Sequence, residues 1–155
     1  MGNGRLEAFG DGVIIIMVVA AVLACSPVLA EPINPKLLDA KNIQPSGLTP
    51  DQARQVLAVA VKHEGFKISR PDMWFEGPWQ VEGKPFHPGY YDFGLLSPIN
   101  VQGHYAVNPL TGDVWQTELC KRFSFATLSK IQKRISEKTG KKLVGEDVAS
   151  DAIGC

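Results

Sequence analysis

The sequence predicts an α+β domain: an amphipathic helix packed on a small antiparallel sheet, followed by a second helix. Three observations predict it. Residues 50–64 carry apolar side chains at helical spacing behind a capping signal. Residues 103–117 read as two short strands around an Asn-Pro-Leu-Thr-Gly-Asp turn. Residues 125–139 return to helical spacing and stop at Gly140.

The first helix opens on Thr49 as N-cap, with Pro50 at the first helical position and Gln52 placed to complete a capping box. Ala53, Val56, Leu57, Ala60 and Val61 form its apolar face. Arg54, Gln55, Lys62 and Glu64 fall on the side assigned to solvent, and Gly65 ends the helix. Phe66-Lys67-Ile68 alternates like the start of a strand. Met73-Trp74-Phe75 and Trp79-Gln80-Val81 read as strand fragments separated by Gly77-Pro78. Residues 83–89 read as a loop, and 90–96 as a strand ended by Ser97-Pro98. In the hairpin, Asn108-Pro109 starts the turn and Gly112 supplies the positive-φ position. Leu128, Ile131 and Ile135 define the buried stripe of the second helix. A short strand at 142–144 and a polar tail carrying Cys155 complete a domain of three to five strands over residues 49–155.

Ahead of the domain, residues 13–24 are an unbroken apolar run. As a helix that run spans ~18 Å, short of the ~30 Å of a bilayer core. Pro27 interrupts it, and Val28-Leu29-Ala30 places small residues where a signal peptidase reads. Residues 1–30 are therefore expected to be a secretion signal with Glu31 as the first mature residue, and 31–48 an extended arm or linker with one helical turn at Pro35 to Lys41. Val22-Leu23-Ala24-Cys25 also matches a lipobox loosely, so Cys25 is a candidate for lipidation. An uncleaved anchor over residues 13–30 is the competing reading. The expected location is the periplasm or cell envelope.

Once Cys25 is removed or acylated, Cys120 and Cys155 are left as a pair for a disulfide in an oxidising compartment. The formal net charge is zero, which argues against a nucleic-acid binder. The charges are nonetheless segregated. Lys121, Arg122, Lys130, Lys133, Arg134, Lys138, Lys141 and Lys142 lie in one stretch, with Glu137 its only acid. Lys130, Lys133 and Arg134 thus make a candidate anion-binding or partner-binding face, against the plainer reading of a solvated helix surface.

The chain lacks His-x₃-His and Cys-x₂-Cys spacings, a Gly-x-Ser-x-Gly elbow and a phosphate-binding loop. No metal, cofactor or catalytic residue is therefore assigned from sequence. The informative cluster is aromatic: Trp74, Phe75, Trp79, Phe86, Tyr90, Tyr91 and Phe93. Most belong to a core. Trp79, Phe86 and Tyr90 flank a turn-rich loop and are candidate binding anchors.

Residues 105–115, Tyr-Ala-Val-Asn-Pro-Leu-Thr-Gly-Asp-Val-Trp, follow a capped amphipathic helix. This helix-then-hairpin pattern, from Thr49 to Thr117, resembles PepSY-like modules. The resemblance implies a small exported domain that binds or restrains a peptidase. Small exported immunity or inhibitor proteins are similar in being compact, cysteine-paired and aromatic-rich. The leading expectation is a non-catalytic envelope protein that binds or inhibits a protein or cell-envelope ligand. A small extracytoplasmic hydrolase and a structural envelope protein are the alternatives; a pocket joining His87 or His104 to a carboxylate and closed from water would support the hydrolase.

Overall fold

A computed structural model describes residues 34–68 and 73–155. The expected leader, its cleavage site and Cys25 lie outside the described residues. Three helices, α1 (Pro50–His63), α2 (Ala126–Thr139) and α3 (Glu146–Ile153), combine with six strands. The strands are β1 (Trp74–Val81), β2 (Lys84–Pro85), β3 (Tyr91–Leu96), β4 (Val101–Val107), β5 (Val114–Gln116) and β6 (Lys121–Arg122). They form one antiparallel sheet in the order β2-β1-β3-β4-β5-β6. Consecutive hairpins build most of it, so the sheet closes through local connections. The α+β expectation is met.

The capping box of α1 forms as expected. Thr49 Oγ1 accepts from Gln52 N at 3.3 Å, and Gln52 Oε1 accepts from Thr49 N at 2.9 Å. The apolar face of α1 packs with Leu128, Ile131 and Ile135 of α2 onto Phe75, Phe93, Leu95, Tyr105, Val107 and Val114 of the sheet. This is the main core. Alternation along each strand sends the intervening side chains to a second face. There α3 lays Ala149 and Ile153 over Ala106, Trp115 and Tyr90.

Several elements differ from expectation. Residues 34–48 carry the expected helical turn, at Pro35–Leu38, but the arm is packed down: Leu38, Ile43 and Leu48 are buried in the main core. Gln52 Nε2 donates to the carbonyls of Leu37 and Asn42, and Gln55 Oε1 accepts from Asn34 N. Gln55, placed on the solvent side by periodicity, is therefore only 3% exposed. A helical pattern records which residues are apolar, not which polar ones a later-packed arm covers. Phe66-Lys67-Ile68 is not a strand; Ile68 and Phe66 instead close the end of the core. The two fragments around Gly77-Pro78 are one strand, β1, with a register shift between Glu76 and Trp79. Residues 142–144 are irregular, and the tail thought to be polar forms α3. Cys120 and Cys155 are joined by a disulfide, their Cα atoms 5.6 Å apart. That bond fastens the end of α3 beside β6.

Candidate functional site

α3 covers the part of the second face around Tyr90, Ala106 and Trp115, and the part around Trp79, Asp92 and His104 is left open as a cleft of about 260 Å³. Its floor depends on a missing side chain. Glu76, Gly94 and His104 are register partners in a row across β1, β3 and β4. The shifted register of β1 brings Trp79 over Gly94, and a Cβ on Gly94 would collide with the indole ring. Gly94→Ala is therefore expected to displace Trp79, shift its fluorescence and cost about 1–3 kcal/mol by overpacking. Unchanged emission and stability would contradict this packing.

Two imidazole–carboxylate pairs frame the cleft. His87 Nδ1 contacts Asp92 Oδ1, and the His87 N–H donates to Asp92 Oδ2 at 3.2 Å. Asp92 is buried, so this double contact ties the loop before β3 to the sheet. Phe86, one residue earlier, is held out at 58% exposure. On the other side His104 Nδ1 lies 2.5 Å from Glu118 Oε1, and its ring stands 5.5 Å from that of Trp79. The side chains of His104 and Glu118 are 41% and 50% exposed, so this rim is wet.

The geometry resembles half of a general-base site, an imidazole oriented by a carboxylate. The other half is missing among the described residues. No Ser or Thr hydroxyl is hydrogen-bonded to either ring; Thr117 Oγ1 donates to the His104 carbonyl instead. Cys120 is tied up in the disulfide. Nor do three His, Cys, Asp or Glu side chains converge there for a metal.

Beneath α3 the polar chemistry is structural. Asp113, 2% exposed, accepts from Arg122 Nε and Nη2 at 2.8 and 3.0 Å, from Trp115 Nε1 at 3.0 Å and from the Tyr90 hydroxyl at 3.3 Å. Burial, reinforced by the Asp113 carboxylate, pushes the Tyr90 hydroxyl up to about 12. Burial, with Glu64 and Glu118 nearby, does the same for Tyr105. Both folded values lie above the unfolded value of 10.0, so the folded state holds these protons more tightly. Their stabilising contribution is complete below pH 10 and is lost as pH rises towards 12. Alkaline titration should show two tyrosines ionising together with unfolding in that window, followed by near-ultraviolet absorbance and circular dichroism.

The candidate residues separate into three places. Trp79 and Phe86 meet in the cleft. Tyr90 does not join them as an exposed anchor: it is 5% exposed, packed with Trp115 and Ala106 under α3. Its neighbours in sequence are turn-forming, which suggested a surface, but its ring points under a helix that periodicity did not reveal. Lys130, Lys133 and Arg134 lie on α2, in the layer across the sheet from the cleft. Arg134 donates to the Leu38 carbonyl, and Lys133 lies 4.0 Å from Glu137. The hydrolase alternative requires a pocket, closed from water, that joins His87 or His104 to a carboxylate; both pairings form, to Asp92 and Glu118, but the His104–Glu118 side is exposed. The seating of Trp79 on Gly94 is readable only once strand register is known.

A layered domain with an open, rigid aromatic cleft has the form of a small binding protein. The family model described as "T6SS, Immunity protein Tgi2PP" matches residues 47–147. The chain belongs to that family of type VI secretion system immunity proteins. A solved chain from "Structure of a type VI secretion system effector-immunity complex from Pseudomonas protegens" is 41% identical, with a TM-score of 0.69. The alignment covers 76% of this chain and 98% of that one. No curated protein matches. These findings overturn the PepSY-like assignment. That likeness rested on the Asn108–Asp113 turn, whose residues serve general purposes. Asn108 Oδ1 caps the amides of Leu110 and Thr111, and Asn108 N donates to the Asp113 carbonyl. Such a turn suits any well-formed hairpin.

Proposed function

We propose that this chain is a non-catalytic immunity protein that binds a type VI secretion effector and neutralises it. The observation carrying the reading is the family match over residues 47–147, which takes in α1, the whole sheet and α2. The 41% identical chain from an effector–immunity complex supports it. We further infer that the protein acts outside the cytoplasm, with residues 1–30 as the signal and the domain following. Glu31 is then the mature start, or Cys25 the lipidated one. The apolar run, the small residues ending at Ala30 and the disulfide favour that address.

The test has two stages. The mature chain is immobilised, and proteins from an extract of the source bacterium that it retains are identified by mass spectrometry. Each is then directed to the periplasm of a host, with full-length chain, with leaderless chain or alone. Growth arrest relieved by the full-length chain but not by the leaderless one supports both parts. Relief by the leaderless chain alone overturns export. Failure to relieve the toxicity of any retained protein overturns immunity.

A further inference from the structure

We infer that the effector docks on the open half of the sheet's second face, and that the segment it inserts combines a cationic side chain with an apolar one. This rests on the immunity reading.

Charge is the first argument. The chain is neutral overall, but the fold sorts its charges by layer. Between residues 73 and 118 the acids are Glu76, Glu82, Asp92, Asp113 and Glu118, and Lys84 is the only Lys or Arg. Asp113 is neutralised internally by Arg122. Glu76 shares the cleft row with Gly94 and His104, and Glu118 stands at its rim. On the same side α3 adds exposed Glu146, Asp147 and Asp151. The basic residues of α2 lie in the opposite layer. A cationic segment is thus drawn to the cleft face, and the α2 face repels it.

The second argument is preorganisation. Trp79 is seated on Gly94, and the Asp92–His87 contacts fix the loop that presents Phe86. An apolar side chain entering between the two rings therefore meets a surface already ordered, with little entropy left to lose. Aromatic anchors surrounded by a polar rim are the usual composition of an interface centre. The part of the same face around Tyr90, Ala106 and Trp115 is closed by α3 and its disulfide, which confines docking to the cleft.

The probe is the effector recovered and neutralised in the growth test. Its affinity and association rate are measured against the full mature chain at two salt concentrations. Phe86→Ala is expected to weaken binding at least tenfold. The double variant Glu76→Lys/Glu118→Lys should slow association at least fivefold and flatten its salt dependence. Lys130→Glu/Lys133→Glu/Lys138→Glu should leave the dissociation constant within twofold. Phe86 and all five charged positions are exposed, and thermal unfolding of each variant is checked for agreement with the parent. Wild-type affinity in both cleft variants, or a tenfold loss in the α2 variant, sinks the docking proposal while the immunity reading stands. A parent chain that neutralises no effector brings down the immunity reading instead.

Discussion

Asp113→Ala is expected to destabilise the protein by about 3–5 kcal/mol, the cost of removing one partner from a buried ion pair. The carboxylate is the common acceptor for Arg122, Trp115 and Tyr90. Without it the guanidinium, 15% exposed, loses its counter-charge, and two buried donors lose their acceptor. The damage reaches beyond the hairpin. Arg122 also donates to the Val144 carbonyl and lies 5.7 Å over the Trp115 ring, so it links the sheet to the segment leading into α3. Asp113→Asn keeps an acceptor for Trp115 but discards the charge, and should cost less. Urea unfolding of both variants measures the difference. A loss below about 1 kcal/mol for the alanine variant would show that the network is worth no more than its surface equivalents.

The second large effect is on the disulfide. Replacing Cys120 and Cys155 together by serine reopens a loop of 35 residues. On the chain-entropy account that costs about 4 kcal/mol. The local consequence is the release of α3. Eight residues are too few to hold a helix in water unaided. The element persists because Ala149 and Ile153 are buried on Trp115 and Ala106, and because its end is tied to Cys120. The variant should therefore bind a hydrophobic dye and exchange amides in residues 146–153 rapidly, with α1 and the sheet still protected. Thiol reductant on the parent chain should reproduce the result. Retention of full protection in α3 after reduction would mean that apolar packing alone holds it.

Much of the fold was legible because it is local. The capping box of α1, the stripe of α2 and the turn at residues 108–113 each lie within a few positions of one another, and all three form as read. The misses share another character. Gln55, read as solvated, is buried by an arm that precedes the helix in sequence. β1 runs through Gly77-Pro78, two residues that ordinarily break a strand, by shifting register. α3 is only eight residues long, and its support comes from a sheet face and a cross-link. The candidate site shows the same division. Trp79 and Phe86 stood out as aromatics beside turns, and they line the cleft. Gly94 and Asp92, which position them, carry no mark in the sequence.

By itself the sequence determined the class of fold, the two long helices, the hairpin, the cysteine pair and the separation of basic from acidic stretches. These follow from composition and from contacts a few residues apart, where period and capping act directly on the chain. Tertiary structure decided which aromatics are presented and which are hidden. Tyr90 and Phe86 are four positions apart, yet one is sealed under α3 and the other stands in solvent. That outcome depends on strand register and on which half of the sheet a distant helix covers. A shift of one residue in register turns every side chain to the opposite face, so no local pattern could have settled it.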